Sequence, residues 1–98
     1  MTLTIENIKI ALEKSGLAHE IHIKYTTSAY TEYEIGIKFS EKTPVWDWFD
    51  FSNYNLPDEK NFLTYSHGYS QNIGVKYGGW KRKWAAYNRF EKVTGLKR

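Results

Sequence analysis

Two stretches in which apolar and polar residues strictly alternate constrain the fold of this chain more than any other feature. In EIHIKYTT (residues 20–27) and YEIGIKF (residues 33–39), apolar side chains stand at every second position through Tyr25 and Phe39. This period of two is that of a strand with one buried and one wet face. A short polar link around Ser28 and Ala29 joins the stretches, which predicts an antiparallel hairpin. The wet face would carry charges of both signs that can pair across the strands: Glu20, His22 and Lys24 opposite Glu32, Glu34 and Lys38.

The N-terminal segment has the spacing of an amphipathic helix instead. Ile5, Ile8 and Leu12 recur every three to four residues. Thr4 can cap the start of this pattern, and Gly16 follows its end. These features predict a helix over residues 4–15.

The C-terminal segment also has helical spacing, and it carries most of the positive charge. At about 100° per residue, its apolar side chains share one sector: Trp80, Trp84, Ala86, Tyr87, Phe90 and Val93. Its cations share the opposite sector: Lys81, Arg82, Arg89 and Lys92, with Lys83 at the border. The pattern predicts a helix from Trp80 that buries its rings, exposes its cations and ends at Gly95 in a left-handed cap.

The middle of the chain is less regular. After Pro44, VWDWFDF (residues 45–51) is either a third strand or an aromatic loop, and its content favours a strand. Residues 52–61 are rich in turn formers and predict a loop. Residues 63–77 allow strands that turn near Gly68 or a short helix over residues 70–77, and the alternation after residue 72 favours strands.

Together these patterns predict a single α+β domain over residues 1–98, in which an antiparallel sheet of three to five strands is flanked by an N-terminal helix and a basic C-terminal helix. A chain of 98 residues is long enough to bury a core without disulfides or structural metals. The N-terminus has neither a signal-peptide pattern nor a spanning segment, so we expect a cytoplasmic protein with no membrane role.

The charge is divided unevenly along the chain. Residues 76–98 hold eight cations and one acid, a net charge of +7, whereas residues 1–75 hold six cations and ten acids, a net charge of −4. A basic end of this kind attracts polyanions, and the acidic body must then face elsewhere.

Catalytic and metal-binding patterns are weak. The chain has no cysteine, and its histidines, His19, His22 and His67, lack the spacing of a metal site. The glycines near residue 78 are not followed by the lysine and serine of a phosphate-binding loop. We therefore expect no enzyme, no cofactor, no metal and no small-molecule substrate.

Two short motifs resemble parts of known families. Residues 79–86, GWKRKWAA, together with the order of helix, three strands and lysine-rich helix, resemble the double-stranded-RNA-binding domain. That resemblance implies that residues 42–70 are an insertion, and Ser28-Ala29-Tyr30 replaces the family's Gly-Pro-x-His loop. Residues 77–80, YGGW, are similar to the Phe-Gly-Ser-Trp of repeats attached to homing endonucleases. The sequence is assigned to neither family.

Two functions follow from the charge and from an aromatic content of 17%. The first is a small binding protein that contacts nucleic acid or a nucleoprotein through the basic helix; its contact residues would be Lys76, Lys81, Arg82, Lys83, Arg89 and Lys92. The alternative is an inhibitor, carried by a phage or mobile element, that blocks a host defence enzyme by protein contact, as anti-CRISPR proteins do. Its contact residues would be Trp46, Asp47, Trp48, Phe49, Asp50 and Tyr54.

Overall fold

A computed structural model describes residues 2–56, 60–70 and 72–98. Along the chain, one helix precedes five strands and a second helix follows them. The helices are α1 (Ile5–Ser15) and α2 (Trp80–Thr94). The strands are β1 (His19–Thr26), β2 (Tyr30–Ile37), β3 (Val45–Tyr54), β4 (Phe62–Ser70) and β5 (Val75–Tyr77). Each strand pairs antiparallel with the next, so the sheet has the order β1-β2-β3-β4-β5. The predicted α+β fold, with an antiparallel sheet between two helices in sequence, is confirmed.

Both helices pack on one face of the sheet, which we call the inner face. The core there joins α1 and α2 to alternate residues of β2, β3 and β4, among which Ile35, Phe49 and Phe90 are fully buried. The ring of Phe49 lies 5.7 Å from that of Phe90, centroid to centroid. The backbone N–H of Tyr65, next to a bulge in β4, donates to the Tyr87 hydroxyl at 2.8 Å and ties α2 to the sheet.

The start and end of α1 agree with the sequence. The Thr4 hydroxyl accepts a hydrogen bond from the backbone N–H of Asn7 at 3.2 Å, as an N-cap does. Gly16 closes the helix with φ +72°, a left-handed conformation that glycine adopts without strain.

In the residues that the structure describes, no helix is both long and apolar enough to cross a membrane.

The hairpin of β1 and β2 forms as predicted, except at Tyr25. A bulge at Lys24 shifts the register, so that Tyr25 pairs with Glu32 rather than continuing the apolar face. Its hydroxyl lies 3.1 Å from that of Tyr30, on the face of the sheet opposite the helices. We call this opposite side the outer face.

The middle of the chain is more regular than its sequence indicates. Residues 45–54 are a strand, and the part of the predicted loop from residue 52 to 54 belongs to it; residues 57–59 lie outside the described residues. β4 continues through Gly68, and the turn falls at residues 72–74 instead, where Gly74 has φ +66°. The preference for strands over a helix in residues 70–77 is confirmed by β5. Residues 42–70 are thus largely central strands, not the insertion that a double-stranded-RNA-binding domain implies.

Candidate functional site

The exposed side of α2 brings tryptophans and cations together. The buried side of the helix consists of Ala86, Tyr87 and Phe90, as predicted. Trp80 and Trp84, however, are 74% and 47% exposed, so the prediction that they belong to the core is wrong. They lie about 70° and 110° around the helix from the centre of its buried side.

Arg82 explains why the two tryptophans turn outward. Its Nη2 lies 3.0 Å from Oδ1 of Asp47, a residue only 2% exposed on the inner face of β3. The guanidinium passes directly over Gly68, where a β-carbon would collide with it. The space between the first turn of α2 and the sheet is therefore filled by an ion pair, and the tryptophan rings are left in solvent.

The ion pair belongs to a closed network with Tyr65. The Tyr65 hydroxyl donates to Asp47 at 2.9 Å and accepts a hydrogen bond from Nε of Arg82 at 3.1 Å. Burial, together with the adjacent Asp47 carboxylate, raises the pKa of Tyr65 above its usual value, so the hydroxyl keeps its proton. Arg82, predicted as a contact residue, is tied to the sheet by these bonds, and its side chain remains 26% exposed. Asp47, predicted for the alternative surface, is its buried partner.

The two tryptophans form a stacked pair. Their ring centroids are 6.2 Å apart and their planes differ by 16°. Lys83 places its ammonium 6.0 Å from the centroid of Trp80, within the range of a cation–π contact. On the other side, the Arg98 guanidinium lies 3.6 Å from the centroid of Tyr87 and 5.3 Å from that of Trp84. An aromatic row with a cation at each end thus runs along one flank of the helix.

Three of the remaining predicted cations lie on the same helix as this row: Lys81, Arg89 and Lys92 are exposed on α2. Lys76 is exposed on β5, but it pairs with Tyr69, which pairs with Trp46, so its side chain projects from the outer face of the sheet. Within the described part of the chain, Arg82 alone of the cations from residue 76 onward forms a salt bridge. We define the α2 surface as Trp80, Trp84, Lys81, Lys83, Arg89, Lys92 and Arg98.

Strand alternation divides the residues of the alternative surface between the two faces of the sheet. Asp47 and Phe49 point to the inner face and are buried. The outer face receives the other four: Trp46, Trp48, Asp50 and Tyr54. The ring of Trp48 lies flat over Gly36 of β2, which leaves no room there for a β-carbon.

The outer face also gathers acidic side chains and rings. Glu32 and Glu34 lie opposite Ser52 and Asp50, and Asp50 accepts a hydrogen bond from Lys24 at 3.1 Å. Trp48 stacks on Trp46 with centroids 6.2 Å apart and on His22 at 6.4 Å. Glu32, Glu34 and Asp50 are therefore separated from the α2 surface by the thickness of the sheet.

The structure assembles no metal centre in the residues it describes: nowhere there do three side chains of histidine, aspartate or glutamate meet in a ligand set. His19 hydrogen-bonds to the carbonyl of Leu17 at 2.8 Å, and His67 to the hydroxyl of Ser66 at 2.9 Å. His22 lies 2.9 Å from a carboxylate oxygen of Glu20. Each histidine thus has a local partner.

Comparisons with protein-family models, with curated proteins and with solved structures found no match to this chain. Function must therefore be inferred from the two surfaces themselves. Sequence reasoning missed Trp80 and Trp84 as surface residues. Their spacing of four residues, which places both on one helix flank, is the one local signal that they can stack on each other.

Proposed function

We propose that this protein is a small, non-enzymatic binding protein whose α2 surface contacts single-stranded nucleic acid, alone or within a nucleoprotein. The observation that carries the proposal is the pair of exposed, stacked tryptophans beside cations that have no carboxylate partner in the described chain. Proteins that bind single strands combine these two elements: rings on which bases stack and positive charge along the backbone path.

Stacking explains why the rings are exposed. Trp80 leaves 74% of its surface in water, which costs free energy unless a partner covers it. A base is flat and apolar on both faces, so it can extend the existing stack of Trp80 on Trp84. Paired bases in a duplex have both faces already covered, which favours a single strand.

Electrostatics supplies the rest of the affinity. The first turn of α2 contains Lys81, Arg82 and Lys83, and it has no acidic residue and no side-chain cap. Cations at the positive end of a helix dipole are unfavourable in the free protein. A nearby phosphate relieves this repulsion, and phosphate contacts carry no base information. We therefore expect little sequence preference.

The test is a titration of labelled single-stranded DNA, single-stranded RNA and duplex DNA at several salt concentrations. Single strands should bind more tightly than the duplex. The slope of log K against log salt should reach roughly −3.5 if all five cations of the α2 surface contact phosphates, at about −0.7 per contact. Neutralising Lys81 and Lys83 by glutamine should reduce the magnitude of that slope by roughly 1.

The matched control is Lys9→Gln, which neutralises an exposed cation on α1. Its salt slope should equal that of the unmodified protein. If no nucleic acid binds even at low salt, or if Lys9→Gln acts like the α2 changes, the α2 surface is not a nucleic-acid contact.

A second candidate, the inhibitor of a host defence enzyme encoded by a phage or mobile element, rests on the outer face. Trp46 and Trp48 stack there on a sheet surface that no described helix covers, and Asp50 lies beside them. Tryptophan is among the residues that are enriched at protein-binding hot spots.

This candidate is tested by capture of partners from nuclease-treated host lysate. Capture that is lost with Trp48→Ala and kept with Trp80→Ala would support it. Capture that survives Trp48→Ala, or an empty capture, would count against the outer face as the contact.

A further inference from the structure

A cleft of about 430 Å³ lies between the C-terminal half of α2 and the segment of residues 38–44 that connects β2 to β3. Its apolar wall is made of Phe39, Val45 and Val93. The hydroxyl side chains of Ser40 and Thr43 line the side formed by the connection. This volume is comparable to that of pockets that take small organic ligands.

The charge of the cleft is strongly positive. Its floor contains Asp47 and Arg82, which neutralise each other in the buried ion pair at 3.0 Å. Arg89 and Lys92 remain, three residues apart on α2 and therefore neighbours on its surface. In the described residues neither forms a salt bridge, so the cleft has two uncompensated positive charges.

These features select a particular ligand chemistry. Two adjacent cations match the charge of a dianionic phosphate monoester, and charge-assisted hydrogen bonds to phosphate are among the strongest that side chains make. The hydroxyls of Ser40 and Thr43 can donate to further phosphate oxygens. Among the described residues, Ser40 accepts a hydrogen bond from the backbone N–H of Lys42 at 3.1 Å and donates none. The apolar wall then accommodates the organic group that is esterified to the phosphate.

We propose that this cleft binds a terminal phosphate monoester, either that of a free mononucleotide or that at the 5′ end of a nucleic-acid chain. The site lies on the opposite flank of α2 from Trp80 and Trp84, about 140° around the helix when Trp84 is compared with Arg89. It therefore goes beyond the proposed base stacking and does not depend on it. Arg89 and Lys92 are common to both surfaces, whereas Ser40, Thr43 and Phe39 belong to the cleft alone.

The experiment is a titration of isotope-labelled protein, followed by NMR, with four probes: adenosine, adenosine 5′-monophosphate, and a tetranucleotide with and without a 5′-phosphate. We expect the amide signals of Phe39, Ser40 and Thr43, which belong to the cleft alone, to shift only with the two probes that carry a 5′-phosphate. A response to the mononucleotide alone identifies a free small molecule as the ligand. A response to the phosphorylated tetranucleotide as well identifies the end of a chain.

Variants assign the response to the cleft. Arg89→Gln with Lys92→Gln should weaken mononucleotide binding at least tenfold, and Thr43→Val should weaken it severalfold. Lys81→Gln, on α2 but outside the cleft, is the matched control and should leave it unchanged. Trp80→Ala should also leave it unchanged, which separates this site from the stacking surface.

Three results would overturn the proposal. The first is that no phosphorylated probe shifts the cleft signals at millimolar concentration. The second is that adenosine shifts them as strongly as its monophosphate. The third is that Lys81→Gln weakens binding as much as the paired Arg89 and Lys92 change. The side chains of Lys81, Arg89 and Lys92 are exposed, so circular dichroism should confirm that the variants at these positions stay folded.

Discussion

Replacing Arg82 with alanine should lower the free energy of unfolding by about 2–4 kcal/mol. The change leaves the carboxylate of Asp47, 2% exposed, without its cation, and removes the hydrogen bond to the Tyr65 hydroxyl. Breaking a fully buried ion pair costs about 3–5 kcal/mol. We expect the smaller loss of about 2–4 kcal/mol here because the Arg82 side chain is itself 26% exposed, which admits some water. In a domain of this size the melting temperature should fall by about 10–20 °C.

Denaturant unfolding of matched variants measures this effect. Lys81→Ala, the neighbouring exposed cation, should change the free energy of unfolding by no more than about 0.5 kcal/mol. In an Asp47→Asn background, Arg82→Ala should cost at least about 1 kcal/mol less than in the original protein, since no buried charge is left behind. Equal losses for Arg82→Ala and Lys81→Ala would mean that the ion pair contributes nothing.

Replacing Trp80 with alanine should weaken binding to single-stranded nucleic acid about 5- to 150-fold, which corresponds to the 1–3 kcal/mol that one stacked base contributes. The stability of the fold should hardly change, because the Trp80 ring is mostly in solvent and contacts Trp84 and Lys83 only at the surface. Trp80→Phe keeps a smaller ring and should recover part of the affinity. Fluorescence anisotropy with a labelled oligonucleotide measures all three proteins.

Trp46→Ala is the matched control for this loss. Trp46 also stacks on a second tryptophan, at the same centroid distance of 6.2 Å, but on the outer face of the sheet. Its removal should leave the affinity for single strands unchanged. If Trp46→Ala weakens binding and Trp80→Ala does not, the nucleic-acid contact lies on the outer face and the proposed role of α2 is wrong.

Much of the fold could be predicted because its signals are local. The cap at Thr4, the left-handed Gly16 and the alternation of residues 33–37 each depend on neighbours within a few positions. The same holds for the end of α2 at Gly95, whose φ is +73°. A meander with sequential strand pairing keeps most pairing partners close in the chain, so the hairpin followed directly from its alternation.

The orientation of α2 could not be predicted, because it depends on one contact between distant residues. The apolar residues of the helix, taken together, define a sector that includes Trp80 and Trp84. In the structure, however, Arg82 turns toward the sheet to reach Asp47. In the sequence, Asp47 stands between two tryptophans and is indistinguishable from a surface acid. Its burial follows from the alternation of β3, but its partner lies 35 positions later in the chain, beyond any local pattern.

The bulge at Lys24 has a consequence for how copies of the molecule behave toward one another. β1 is an edge strand of eight residues whose outward backbone groups are unpaired in the sheet, and Ile23 beside them is 65% exposed. A long flat edge with an exposed isoleucine recruits strands from other molecules and leads to aggregation. The extra residue twists this edge and breaks the regular spacing of its backbone groups. The irregularity therefore makes this edge a poorer template for an added strand than a regular strand would be.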